Sequence, residues 1–289
     1  MDASEIMTSP VIVMKPANTL AHARNLMLKH DIARLPIIDE NETPIGIITQ
    51  KDIIRAIEQS EPIWRRRPIN QVLVQQIMTR NPITINQRMD IVDIAKIMVR
   101  HNISGVLVTD DSRLIGMITK TDIVKAFPET YGGRAKVEDF MTKGVITANR
   151  EHPITHIVDL MNKSNVSRIV IVEGEKPIGM ITSRDLTFVK PIEIGTGLRS
   201  RTVGVRDPQS LMRARGSLAQ RILVLAEDVM STDLLTIDTS DDLAKAAELM
   251  TSEDIGGLPV TSDGVLVGVI TKRDILKSIT ELGGKRNEG

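Results

Sequence analysis

One seven-residue phrase occurs four times in the chain: Gly46-Ile47-Ile48-Thr49-Gln50-Lys51-Asp52, Gly116-Met117-Ile118-Thr119-Lys120-Thr121-Asp122, Gly179-Met180-Ile181-Thr182-Ser183-Arg184-Asp185 and Gly268-Val269-Ile270-Thr271-Lys272-Arg273-Asp274. Self-similarity on this scale confines the fold to stacked copies of one supersecondary unit. Each copy opens upstream on a shared triplet: Ile6-Met7-Thr8, Ile77-Met78-Thr79, Phe140-Met141-Thr142 and Val229-Met230-Ser231. Met78 to Asp122, Met141 to Asp185 and Met230 to Asp274 each span 44 residues. Met7 to Asp52 spans one more, which fits in the polar turn from Asp39 to Pro44, where insertions are tolerated.

Between triplet and phrase the pattern reads β-α-β-β-α. A short β-rich run comes first (Val11 to Met14, Ile83 to Ile85, Val145 to Thr147, Leu234 to Ile237). A helix follows, with apolar residues at spacings of three and four, as in Leu20, Ala23, Leu26 and Met27. Met27, Met98, Met161 and Met250 fall at one equivalent position and read as core filler. Two strands joined by a polar turn lead into the helix that the threonine opens.

The spacers set the domain organisation. Asp52 to Met78 is 26 residues, Asp122 to Met141 is 19 and Asp185 to Met230 is 45. Repeats over 1–60 and 72–130 therefore pair into 1–130, and repeats over 135–192 and 223–282 pair into 135–282, with the seam near Tyr131-Gly132-Gly133-Arg134. The connector 193–222 carries six arginines (Arg199, Arg201, Arg206, Arg213, Arg215, Arg221), which across 195–221 face one acid, Asp207. It reads as a solvated loop, a phosphate-contacting lid or a docking surface for an acidic partner. Trp64-Arg65-Arg66-Arg67 poses the same question on a smaller scale, and the tail from Gly283 reads as disordered.

Composition narrows the function. With 37 basic and 37 acidic side chains the formal charge is zero, so no global field draws the chain to nucleic acid or an acidic membrane. The absence of cysteine excludes thiol chemistry and cysteine metal sites. No leader follows Met1 and no apolar run is long enough for a membrane helix, so a cytoplasmic protein is expected. Aromatic residues are scarce, which turns base recognition toward aliphatic walls and backbone groups.

Thr-x-x-Asp at a helix start is first of all a capping box, with the Thr hydroxyl accepting from the backbone. Its fourfold recurrence with Asp, where Glu or Gln would cap equally well, points further. A short carboxylate at a helix start can accept both hydroxyls of a ribose, and the neighbouring N–H groups suit a phosphate.

The opening triplet, the strand Leu35-Pro36-Ile37-Ile38-Asp39 or Leu258-Pro259-Val260, and Gly-apolar-apolar-Thr-x-x-Asp together resemble the cystathionine-β-synthase (CBS) domain family over nearly the whole chain. The resemblance implies an α/β (α+β) fold of four repeats in two Bateman modules, with a cleft on either side of each pair. Four repeats in one chain are similar to the γ regulatory subunits of AMP-activated protein kinase, which implies a flat disc with phosphates facing its centre. It also implies an adenosyl ligand, an adenine nucleotide (AMP, ADP or ATP) or S-adenosylmethionine, with no cofactor required. Asp52, Asp122, Asp185 and Asp274 would hold ribose. Thr49, Thr119, Thr182 and Thr271 would lie near phosphate, and the opening Thr8, Thr79, Thr142 and Ser231 are expected among the ligand-binding residues. Two positions before the Pro36 column, Arg34 and Arg168 alternate with Gly105 and Gly257. The arginines resemble phosphate clamps in that kinase subunit, and the glycines would let ligand approach the backbone. Lys51, Arg184 and Arg273 are the second cations, with one clamped nucleotide expected per module. The histidine that can precede such an arginine is Ala33 or Ser167 here, which leaves the number of phosphates open.

The function expected is a non-enzymatic, nucleotide-dependent regulator or energy sensor acting on a partner protein, with a homodimer as a further partner. The alternatives are an S-adenosylmethionine-binding protein and a nucleic-acid-binding regulator using the arginine-rich connector. His152 and His156 stand four apart but no third ligand accompanies them, so no metal is expected. Gly195-x-Gly197 lacks the third glycine of a dinucleotide fingerprint, and no catalytic constellation is visible.

Overall fold

The computed structural model describes residues 1–58, 68–188 and 224–284. Trp64 to Arg67, Gly195-x-Gly197, the arginine-rich connector, the tail beyond Gly284 and the side chain of Arg184 lie outside the described residues. Two compact units emerge. One comprises Met1–Phe140, Asp241–Gly256 and Thr271–Gly289, the other Met141–Ser240 and Gly257–Ile270.

In the first unit, α1 (Ala3–Ile6) and α2 (Leu20–Lys29) precede the hairpin β1 (Arg34–Ile38) and β2 (Pro44–Thr49), which runs into α3 (Gln50–Glu58). The second repeat supplies β3 (Thr79–Arg80), β4 (Thr84–Asn86), α4 (Ile91–Arg100), β5 (Gly105–Asp110), β6 (Arg113–Thr119), α5 (Lys120–Tyr131) and, beyond it, α6 (Val137–Phe140). One sheet has the order β1-β2-β3, antiparallel throughout. The other is β4-β5-β6, with β4 parallel and β6 antiparallel to β5. In the second unit β7 (Thr147–Asn149), β8 (Arg168–Glu173) and β9 (Lys176–Thr182) repeat that plan around α7 (Ile154–Ser164) and α8 (Ser183–Phe188). The fourth repeat contributes β10 (Ile237–Asp238), β11 (Gly257–Ser262) and β12 (Val265–Thr271) as another three-stranded sheet. Its helices α9 (Leu243–Ser252) and α10 (Lys272–Gly284) fall in the first unit, where α10 packs on α4, α5 and α9.

Local chemistry explains the boundaries. Thr19, Asp90 and Asp242 cap α2, α4 and α9 by accepting from the N–H groups of His22, Val92 and Ala244. Each first helix is left through an Asp or Asn with positive φ, namely Asp31, Asn102, Asn165 and Asp254, residues whose short polar side chains tolerate the left-handed region. The methionine column is buried in all four repeats. The leading β-rich runs start later than the sequence suggests and, in the first and fourth repeats, pair over fewer residues. Only Met14, Thr84–Asn86, Thr147–Asn149 and Ile237–Asp238 pair, in parallel, with the strand after the helix. Gly283 and Gly284 are not tail: they finish α10, and buried Gly283 lets the helix approach Val92 of α4 and Tyr131 of α5, where a Cβ would lie 2.5 Å from Val92 Cγ2.

The opening triplets and the phrase glycines are exchanged between paired repeats. Met7 of the first repeat covers Gly116 of the second, and Met78 of the second covers Gly46 of the first. Met141 likewise covers Gly268, and Met230 covers Gly179. A Cβ at any of these glycines would collide with the methionine, so glycine is required by close approach rather than by φ. The residue after each methionine then bonds to the strand of the partner repeat: Thr8 with Met117 (2.9 and 3.1 Å), Thr142 with Val269 (2.9 and 3.0 Å), Ser231 with Met180 (3.0 and 3.2 Å). Thr79 does the same within β3, opposite Ile47.

Candidate functional site

Each phrase ends in the same local geometry. The aspartate Oδ2 accepts both the backbone N–H and the hydroxyl of its threonine: 2.8 and 2.6 Å for Thr49 and Asp52, 2.7 and 2.7 Å for Thr119 and Asp122, 2.7 and 2.7 Å for Thr182 and Asp185, 3.0 and 2.6 Å for Thr271 and Asp274. The capping box that the pattern suggests is formed, with the Thr119 hydroxyl accepting from the N–H of Asp122 and that of Thr182 from the N–H of Asp185 (3.4 Å), and the hydroxyl in addition donates to the carboxylate. One oxygen is saturated. Among the described residues Oδ1 of Asp52, Asp122 and Asp185 accepts no hydrogen bond, and all three side chains are half-buried. A fixed carboxylate with one open oxygen at a strand-to-helix junction is a seat for a hydroxyl donor.

Asp274 differs. It is 4% exposed, and its Oδ1 accepts from Lys277 Nζ at 3.2 Å, so both oxygens are taken.

The predicted residues converge unequally. Thr8, Thr79, Thr142 and Ser231 have exposed side chains and sit, through the exchange, against the strand of the partner repeat rather than their own seat. Arg34, opposite Thr49 in its own hairpin, does not serve Asp52 alone. Its Nη1 donates to the carbonyl of Ser104, and its guanidinium lies over the Cα of Gly105. Ser104 O also accepts from the N–H of Lys120 (3.2 Å), which places Arg34 at the strand-to-helix junction of the second repeat. Burial pulls the Arg34 guanidinium below its ordinary value, and the charge of Asp122 opposes the shift. Gly105, expected to leave room for ligand, leaves room for this arginine. Arg168 occupies the same register position, opposite Thr182, and Gly257 begins β11.

Lys120, the first residue of α5, is a site residue that motif reading passed over. It stands at the first variable position of the phrase, where the other repeats have Gln50, Ser183 and Lys272. Burial, then the charges of Arg273, Arg34 and Lys51, push its ammonium down to about 8, against a smaller upward effect of Asp274. Arg34, Lys51, Lys120 and Arg273, from the first, second and fourth repeats, thus share one neighbourhood in the first unit. Among the described residues none of the four forms an ion pair with a carboxylate. Lys272 tightens the same corner, donating to Thr121 Oγ1 at 3.1 Å and lying 3.9 Å from Asp254. Cations gathered around the partly desolvated Lys120 favour a bound anion.

Elsewhere the chemistry is sparse. His152 and His156 meet edge to face, 4.6 Å between ring centres, and His152 Nδ1 accepts from the N–H of Asn149. Among the described residues no three His, Cys, Asp or Glu side chains gather as a metal site, and no helix is long and apolar enough to cross a membrane.

Comparison with known proteins places the fold. Protein MJ1225 of Methanocaldococcus jannaschii is 26% identical over 279 residues, 92% of this chain and 94% of that protein. Its crystal structure, proposed as an archaeal homologue of γ-AMPK, superposes with a TM-score of 0.72 at 24% identity, covering 96% of this chain and 99% of that one. A protein of Pyrococcus horikoshii superposes at 0.66 with 17% identity over 96% of this chain and all of its own. The CBS domain model matches residues 3–59, 74–129, 137–190 and 226–281, one match for each phrase, and the chain belongs to the CBS-domain family.

Proposed function

We propose that the protein is a non-catalytic adenine-nucleotide sensor whose two modules, 1–130 and 135–282, bind AMP, ADP or ATP and change their affinity for a regulated partner protein. The observation that carries this reading is the juxtaposition, in the first unit, of the open carboxylate of Asp122 with the cations Arg34, Lys51, Lys120 and Arg273. The carboxylate suits a ribose and the cations, gathered from three repeats, suit a phosphate. Charge-assisted hydrogen bonds contribute about 1.5–3 kcal/mol each, so a few acting together reach the roughly 8 kcal/mol of micromolar binding. The same cluster disfavours S-adenosylmethionine, whose sulfonium carries positive charge and whose adenosyl group bears no phosphate. Regulation follows by linkage: a nucleotide that binds one arrangement of the repeats better stabilises that arrangement, and the partner reads the shift.

Calorimetric titration with AMP, ADP, ATP and S-adenosylmethionine tests the proposal. Micromolar binding of at least one nucleotide, with S-adenosylmethionine weaker, is expected. If none of the three nucleotides binds at micromolar concentration, the reading is wrong.

A further inference from the structure

We propose that Met7, Met141 and Met230 are sites of modification by hydrogen peroxide, and that their oxidation to the sulfoxide weakens the pairing of the repeats they join. Four thioethers seal the exchange between paired repeats: Met7 on Gly116, Met78 on Gly46, Met141 on Gly268 and Met230 on Gly179. Met7, Met141 and Met230 are partly open to solvent, whereas Met78 is 8% exposed. In the helix column Met27, Met98, Met161 and Met250 are at most 5% exposed. The chain thus carries one reachable set of methionines at the repeat contacts and one sealed set in the core. With no cysteine, the thioether is the only oxidisable sulfur it has.

Three observations set the consequence of oxidation. The first is contact. Each sulfur lies against a bare glycine Cα, so close that a Cβ on Gly179 or Gly268 would stand 2.6 Å from it, and an added oxygen must displace the side chain or turn to solvent. The second is surroundings. Met230 packs against a core that includes Ile157, Ile169, Ile181 and Ala226, where a sulfoxide would set a polar oxygen beside aliphatic carbon. The third is leverage. The residue after each methionine carries the paired backbone hydrogen bonds to the partner strand, Thr8 with Met117, Thr142 with Val269 and Ser231 with Met180, so a displaced methionine pulls on the bridge beside it. The chemistry needs only hydrogen peroxide. A lone pair of the thioether sulfur attacks one peroxide oxygen, an S–O bond forms as the O–O bond breaks, and the sulfur gives up two electrons. The departing hydroxide takes the proton from the transferred oxygen and leaves as water, so one thioether and one peroxide give one sulfoxide and one water.

Timed exposure of the folded full chain to hydrogen peroxide, followed by quenching, peptide mass spectrometry and thermal melting, tests both halves. Met7, Met141 and Met230 should each gain one oxygen at least about tenfold faster than Met27, Met98, Met161 and Met250, and the melting temperature should fall by about 5 °C as they do. The triple variant Met7→Leu, Met141→Leu, Met230→Leu keeps the volume and apolar character of the contacts, so it should melt close to the unsubstituted protein and lose less than about 1 °C after the same exposure. If the triple variant does not fold, the single variants Met7→Leu, Met141→Leu and Met230→Leu should each spare about a third of the fall. Oxidation of the helix column as fast as the contact methionines overturns the inference. So does a fall in melting temperature that the leucine variants share in full. Neither result bears on nucleotide binding, which stands or falls on its own titrations.

Discussion

Asp122 and Asp274 close the same turn with the same two hydrogen bonds to a threonine, yet they sit in opposite surroundings. Asp122 is half-buried, leaves Oδ1 open and faces the charge of Arg34. Asp274 is sealed, with Lys277 on its second oxygen. The phrase Gly-apolar-apolar-Thr-x-x-Asp therefore encodes a helix start. Whether that start becomes a seat depends on what other elements bring to it: at Asp122 a strand arginine from another repeat, at Asp274 a lysine one turn along its own helix.

Four measurements break or sharpen that contrast. The largest effect is expected in ligand binding. Asp122→Ala removes the open carboxylate and should weaken ATP by about 100-fold in calorimetry, whereas Asp274→Ala should move it far less. Stability should show the reverse order. Asp274→Ala removes a sealed cap and its ion pair and should lower the unfolding free energy by about 2 kcal/mol in urea titrations, more than Asp122→Ala does.

The third effect is pH-dependent. Lys120 titrates at about 8, below its ordinary 10.5, so between these values the unfolded chain holds more protons than the folded one. Its burden on stability is full below pH 8 and is relieved as pH rises toward 10.5. A bound phosphate favours the charged amine and raises its pKa, so above pH 8 binding must take up a proton. ATP affinity should fall severalfold between pH 7.5 and 9.5, with the heat of binding depending on the ionisation enthalpy of the buffer; Lys120→Met should flatten both trends. The smallest effect belongs to Lys277, whose side chain is 46% exposed. Lys277→Met should change stability by less than about 1 kcal/mol, because an ion pair with one solvated partner contributes little.

Much of this was legible in the residues. The fourfold phrase gave the repeat, the spacing of three and four gave the helices, and the methionine column gave part of the core, because these are local patterns repeated in register. Arg34 and Gly105 were also visible as an alternation. What could not be read was their destination, since no local pattern says that one residue of a column fills the space left by another 71 positions on. The Met–Gly exchange was hidden for the same reason: each partner lies in a different repeat. Lys120 escaped because it stands at a variable position of the phrase, and its importance comes from Arg273, Arg34 and Lys51, which share no sequence neighbourhood with it. The closure of Asp274 was hinted at only by Lys277, three residues on, a spacing too common on helices to single out.

The most direct test of the central claim is one calorimetric comparison, ATP titrated into the unsubstituted protein and into Asp122→Ala under identical salt and pH. Micromolar binding that is lost by about two orders of magnitude in the variant is the expected result. Equal binding by both proteins would contradict the assignment of Asp122 as the nucleotide seat.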